Sequence, residues 1–174
     1  MTKKLYLDAG HEGVLKGYDP GAVGNGLKEA SITLSIAKYC RDYLKSNYKG
    51  ISIKMARTGN KRKSLTARTN EANKWGADAY VSIHVNAGGG TGFESFVYPG
   101  VGSNTKNLQD CIHGEVKKAL GDFRDRGQKQ ANYHVLRETK MSGCLTGNLF
   151  IDTKNNANFL KSNSNLKKIG QAHA

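Results

Sequence analysis

Three side chains in this sequence have the types that hold a catalytic metal ion: His11, Glu29 and His84. His11 follows Leu7-Asp8-Ala9-Gly10, the end of a strand-like segment. Glu29 opens a helical pattern beyond a glycine-rich loop, and His84 ends the apolar run Val81-Ser82-Ile83. Two imidazoles and one carboxylate make a Zn²⁺ ligand set that leaves a fourth position for water. A metal there lowers the pKa of its water to about 7 and polarises a carbonyl. Taken singly, each residue has an ordinary explanation. Loop histidines are common, acids favour a first helical turn, and His84 alone reads equally well as a satisfied core histidine. Only their convergence carries chemistry, and that depends on the elements that position them.

Those elements alternate between strand and helix patterns. Residues 3–8 read as a strand that runs into a loop punctuated by Gly10, Gly13, Gly17, Gly21, Gly24 and Gly26, with a turn at Asp19-Pro20-Gly21. Residues 28–46 place Ile32, Ile36, Ala37, Cys40 and Leu44 near the 3.6-residue period, which predicts a helix. A strand at 51–55 and a helix at 64–75 follow, the helix capped by Ser64 and ended by Gly76. Strands are expected at 78–85 and 93–98. A helix is expected at 104–120, with Leu108, Cys111, Ile112, Val116 and Leu120 on one face. Short strands are then expected near 134–137 and 143–149, and a terminal helix over 156–170. The alternation predicts an α/β fold: one domain over 1–174, with a mixed, mainly parallel sheet and helices on both faces. In such sheets ligands gather at the carboxyl ends of strands, where His11 and His84 fall. Residues 161–174 read either as a docked terminal helix or as the stump of a linker.

Composition narrows the partners. Lys and Arg number 27 against 14 Asp and Glu, a net charge of +13, large beside the roughly 2–8 usual for a small soluble domain. Such a charge suits nucleic acid or an anionic cell-wall polymer. No nucleic-acid motif is present, and the basic stretch 122–132, with Arg124, Arg126 and Lys129, reads as a solvated face. No apolar run approaches the roughly 20 residues of a membrane span, and the start MTKKLYLDAG lacks the apolar stretch of a signal peptide. Cys40, Cys111 and Cys144 form no CxxC pair; Cys40 and Cys111 are expected to be small buried hydrophobes, and the chain is expected to be a monomer.

Further blocks carry a resemblance over about residues 3–161. Leu7-Asp8-Ala9-Gly10-His11-Glu12-Gly13 resembles the D-P-G-H-G-G opening of the type-three, zinc-dependent N-acetylmuramoyl-L-alanine amidases, which include bacterial autolysins and phage endolysins. Asp19-Pro20-Gly21-Ala22-Val23-Gly24 resembles their D-x-G-A-x-G, and Glu29 stands at their single glutamate ligand. Ser82-Ile83-His84-Val85-Asn86-Ala87 is close to S-I-H-x-N-A. Met55-Ala56-Arg57-Thr58, Ser64-Leu65-Thr66-Ala67-Arg68, Gly92-Phe93-Glu94 and Val135-Leu136-Arg137 also fit. The resemblance implies one Zn²⁺ held by His11, Glu29 and His84. It implies cleavage of the amide between the lactyl group of muramic acid and the L-alanine of the stem peptide. The site of action is then the bacterial wall, reached as a phage endolysin that waits in the host cytoplasm or as a secreted protein without its leader.

One block departs from the family. Gly143-Cys144-Leu145-Thr146-Gly147-Asn148-Leu149-Phe150-Ile151 aligns with A-V-L-V-E-x-G-F-I, which places Gly147 where the family has its catalytic glutamate. Glycine cannot accept a proton. An engineered loss is favoured over a natural one or a relocated base, for which Glu94 and Glu138 are the nearest carboxylates by block. The alternative is a peptidoglycan-binding module without turnover. Asp8 is expected to orient His11, Asn86 to line the cleft or tie a loop, and Arg57 and Arg68 to pair with buried carboxylates or orient the peptide. Trp75 and Tyr80 are expected in the core.

Overall fold

The computed structural model describes residues 1–174. The chain runs β1 (Lys3–Ala9), β2 (Val23–Gly24), β3 (Leu27–Lys28), α1 (Glu29–Asn47), β4 (Ile51–Met55), α2 (Leu65–Trp75), β5 (Ala79–Asn86) and β6 (Phe93–Val97). It continues through α3 (Ser103–Leu120), β7 (Asp125–Gln130), α4 (His134–Arg137), β8 (Ser142–Phe150), α5 (Lys154–Leu160) and α6 (Asn163–Ala172). Six strands form one sheet in the order β4-β1-β5-β8-β6-β7, while β2 and β3 make a separate small ribbon. Every pairing in the large sheet is parallel except β6 with β8. The α/β expectation therefore holds, with a sheet that is mixed and mainly parallel.

Period-two alternation sorts the sheet into two faces. Val81, Ile83 and Val85 of β5 join Leu7, Ala9, Ile36 of α1, Val116 of α3 and Ile169 of α6 in the larger core. Tyr80 of β5 joins Tyr6, Leu145, Ala72 of α2 and Val135 of α4 in the smaller one. His84 and Asn86 share the register of Tyr80 and so emerge on the second face, where the thinner helical cover leaves room for a cleft. Ser64 caps α2 by accepting the Ala67 N–H at 3.1 Å. Gly76 closes it in a left-handed conformation with φ 69°.

Several expectations change. Residues 134–137 form a single helical turn rather than a strand. The polar stretch 122–132 is not merely a solvated face, since 125–130 pair with β6 as the edge strand. The terminal segment breaks into two helices, and α6 is docked through Leu166, Ile169 and Gly170. Gly170 makes this contact possible: a Cβ there would lie 2.7 Å from the Ile36 carbonyl oxygen. Cys40 is buried as expected, but Cys111 is exposed, because the buried face of α3 runs through Gln109, Ile112, His113 and Val116.

The docked end also contains a buried histidine. His173 Nδ1–H donates to the Ile169 carbonyl at 2.8 Å, and its Nε2 lies 2.9 Å from Thr146 Oγ1, from which it accepts. Burial pushes its pKa down to about 4. The unfolded chain binds that proton near pH 6.5, so its contribution to stability is complete above that pH and is lost as pH falls towards 4. Unfolding in urea at pH 7 and pH 5 should show a loss of about 2 kcal/mol from this group. In His173→Gln that part of the pH dependence should vanish.

Candidate metal centre and substrate cavity

The three donors that lie far apart in sequence meet at the carboxyl ends of β1 and β5. His11, Glu29 and His84 offer ligand atoms that all lie within 4.8 Å of one another. Glu29, the first residue of α1, is buried and bridges both rings. Its Oε2 lies 2.9 Å from His11 Nε2 and its Oε1 lies 3.0 Å from His84 Nδ1. The carboxylate also accepts the backbone N–H of Ala22 and of Val85. Burial opposes its charge, but the hydrogen bonds from His11 and His84 outweigh that and hold its pKa far below the usual carboxylate range.

Backbone geometry builds this cluster. His11 adopts φ 68°, a left-handed conformation that turns its ring away from the strand. Gly10 and Gly21 leave the necessary room: a Cβ on Gly10 would lie 2.5 Å from His84 Cε1, and one on Gly21 would lie 2.6 Å from Glu29 Oε2. This is a physical reason for the glycines of both sequence blocks.

The donor set fits a cation. His11 faces carboxylate oxygen through both ring nitrogens, Asp19 Oδ2 at 2.8 Å from Nδ1 and Glu29 Oε2 at 2.9 Å from Nε2. A neutral imidazole has only one N–H to give. With Nδ1–H kept on Asp19, a cation that displaced the protons His11 Nε2 and His84 Nδ1 give to Glu29 would meet two ring lone pairs and the carboxylate at one point. Bonds of about 2.0–2.1 Å at a tetrahedral angle place zinc ligands about 3.3 Å apart, near the 2.9 and 3.0 Å from Glu29 to the two rings.

The residue that orients His11 is thus Asp19, not Asp8. Asp8 is fully enclosed, accepts from Arg68 Nη1 at 2.6 Å and from Ser82 Oγ at 2.8 Å, and does not touch His11. Burial opposes the Asp8 charge, but the adjacent Arg68 outweighs it and holds the pKa below the ordinary value. Arg68 also donates to the carbonyls of Ala9 and His11, which ties the ion pair to the metal loop. Removing one member of a buried pair leaves a bare charge, so Arg68→Leu should cost about 3–5 kcal/mol in denaturant unfolding. Arg57 is equally buried, but it meets no carboxylate and does not reach the cleft. It donates to the carbonyls of Ala9, Gly10 and Ala30, bracing the same loop. Tyr80 lies in the core as expected, while Trp75 is half-buried under Lys4 and Lys54.

Two hollows flank the cluster. An apolar cavity of about 400 Å³ is lined by Leu65, Phe96, Tyr133, Val135 and Leu145 together with Asn86 and all three donors. On the other side lies a polar hollow of about 350 Å³, bounded by Glu12, Asp19, Lys63, Ser64 and Arg68. Another apolar cavity, also about 400 Å³, sits at the far end of the sheet around Leu44, Ile51 and Ile112, but it faces no group of metal donors.

Gly147 sits beside the cluster. The β-sheet register aligns His84 of β5, Gly147 of β8 and Glu94 of β6 in one row. Asn86 fills the space over the bare glycine: a Cβ on Gly147 would lie 2.5 Å from Asn86 Oδ1. Asn86 Nδ2 in turn donates to Glu94 Oε1 at 3.1 Å. Glu94 is further held by Arg126 Nε at 2.9 Å and by Lys129, so these basic residues of β7 have a structural partner. Glu138 lies exposed beside Arg137, away from the cavity. Downstream of Gly147, Leu149 adopts φ 67° at the position where the family block has glycine.

A second set of catalytic side-chain types is structural. Asp125, His113 and Ser95 form a chain of contacts at 2.9 and 2.8 Å. Ser95 is wholly buried and lines none of the cavities described above, so no substrate can reach it.

Comparison with known proteins gives the same family. Residues 5–174 match the family described as N-acetylmuramoyl-L-alanine amidase. A sporulation-specific N-acetylmuramoyl-L-alanine amidase of Bacillus subtilis (strain 168) is 52% identical over 171 residues, which are 98% of this chain and 65% of that protein. The endolysin of Bacillus phage SPP1 is 40% identical over 181 residues, 100% of this chain and 64% of that protein. The chain spans just under two thirds of the length of these curated relatives. An N-acetylmuramoyl-L-alanine amidase from Clostridium difficile 630 superposes with a TM-score of 0.91 at 27% identity, covering 99% of this chain and 92% of that one. The catalytic domain of an amidase from Bacillus (Paenibacillus) polymyxa var. colistinus gives 0.89 at 28% identity, covering 99% and 94%. The chain belongs to the N-acetylmuramoyl-L-alanine amidase family.

Proposed function

We propose that this chain is a zinc-dependent hydrolase of peptidoglycan that cleaves the amide between the lactyl group of muramic acid and L-alanine. The observation that carries this proposal is the meeting of His11, Glu29 and His84 at one point between two hollows, in a chain of the amidase family. His11, Glu29 and His84 would hold the Zn²⁺, which would supply a water of lowered pKa and a Lewis acid for the amide carbonyl. Glu29 supplies the negative charge of the site and fixes both rings through one carboxylate. Asp19 holds the His11 tautomer, and Arg57 and Arg68 brace the loop that carries His11. The apolar cavity and the polar hollow flank the reacting bond and take the substrate on either side of it.

Gly147 weakens this machinery without removing the metal donors. A positioned base contributes about 10²–10⁴-fold, so hydrolysis by this chain is slow beside that of a family member with the glutamate. The charge of +13 draws the chain to anionic wall polymers, an attraction that salt screens. The test is the zinc-loaded protein on purified peptidoglycan. New N-terminal L-alanine without new reducing sugar ends is expected, whereas binding to the wall with no release of amine would reduce the chain to a binding module.

A further inference from the structure

The row His84–Gly147–Glu94 has no carboxylate at 147, on the side of the metal donors where the apolar cavity lies. Asp19 and Glu12 border the other hollow, where Asp19 is committed to His11 and Glu12 to the Asp19 N–H. Neither Glu94 nor Glu138 fills the gap. Glu94 is one strand further away and is held by Asn86, Arg126 and Lys129, and it does not line the cavity. The hydrogen bonds from Lys129 and Arg126 overcome the effect of burial and keep its pKa low, which makes it a weak base. Glu138 is on the outer side of α4 with Arg137.

The cavity has one further imidazole, His134. It is the first residue of the α4 turn and lines the same 400 Å³ space as His11, Glu29 and His84. The other four histidines all have a ring nitrogen against a partner: His11 and His84 at Glu29, His113 at Ser95 and Asp125, and His173 at Thr146. His134 has none, and its Nε2 is buried without a hydrogen-bond partner. A buried polar nitrogen left without a partner is unfavourable, and this one belongs to the only imidazole of the cavity wall that no other side chain holds.

We propose that His134 takes over the proton transfer vacated at position 147; this rests on the amidase activity proposed above. As the water oxygen bonds to the amide carbonyl carbon, one water proton moves to a His134 ring nitrogen. As the C–N bond breaks, that proton passes to the departing alanine nitrogen. The products are the lactyl carboxylate and a free α-amine, and the ring returns to its neutral form. Imidazole suits this task because one ring nitrogen can accept a proton while the other carries one. Across the cavity the ionisable side chains are His11, Glu29, His84 and Tyr133. Glu138 and Arg137 lie on the same turn as His134. On α2, which packs against that turn, Arg68 is committed to Asp8 and Glu71 to Lys63, and Lys74 is exposed. The only ionisable side chain of β8, Cys144, lies in the opposite core.

The experiment uses the whole zinc-loaded chain on purified peptidoglycan and follows release of N-terminal L-alanine. His134→Ala and His134→Gln should both lower kcat by about 100-fold while leaving zinc content and wall binding unchanged. If His134→Ala keeps the parent rate, or if His134→Gln restores it, the proposal falls. If the parent chain releases nothing while Gly147→Glu does, the His134 proposal falls and the amidase activity of the site stands. If neither releases amine with zinc bound, both fall.

Discussion

His84→Ala is expected to abolish stable metal binding. His84 supplies one of three protein donors and one of the two rings joined through Glu29. Removing a residue that merely orients a ligand typically costs 10–100-fold in affinity, so losing a ligand should cost at least about 100-fold. The substitution should not unfold the chain. The His84 side chain is one quarter exposed, and β5 keeps its pairing with β1 and β8 and its apolar residues Val81, Ile83 and Val85. Asp19→Asn should cost less, within the 10–100-fold range, because it loosens the hold on His11 Nδ1 without removing a donor. Elemental analysis after dialysis checks both: about one zinc for the parent and close to none for His84→Ala. A variant that retains full zinc would show that the ligand set is wrong.

Gly147→Glu is expected to raise amide cleavage by at least about tenfold. Position 147 is the register neighbour of His84, so a carboxylate there projects from the same face beside the metal donors. The gain should fall short of the full 10²–10⁴-fold range for a reason visible in the packing. Asn86 occupies the space of the new Cβ, with Oδ1 at 2.5 Å and Nδ2 at 2.7 Å, and is tied to Glu94. The amide must swing aside and give up that bond. No gain in release of N-terminal alanine would mean that the catalytic position has been misassigned.

The convergence of His11, Glu29 and His84 is legible because each follows a strong local signal. His84 ends the most apolar strand, His11 follows a strand and precedes a glycine loop, and Glu29 starts a clear amphipathic helix. Other parts of the site were hidden. Asp8 and Asp19 were equally eligible to orient His11, and the choice was made by the left-handed backbone at His11, which a residue type does not announce. The turn His134–Arg137 is too short for its period to separate helix from strand, so His134 could not be placed in the cavity from sequence. Strand β7, with the sequence DRGQKQ, carries no apolar alternation. It is an edge strand bonded only to β6, and edge strands are commonly polar. Cys111 was misplaced because the face of α3 is set by Gln109 and His113, polar residues that a hydrophobic pattern passes over.

The central claim is metal-dependent cleavage of the muramyl–L-alanine amide at the His11–Glu29–His84 centre. Its most direct test is the count of new N-terminal L-alanine released from purified peptidoglycan by Gly147→Glu, measured as prepared with zinc, after chelation, and after zinc is returned. Release that stops on chelation and recovers with zinc is the predicted result. Release that is indifferent to chelation, or that yields new reducing sugar ends in place of N-terminal alanine, would contradict it.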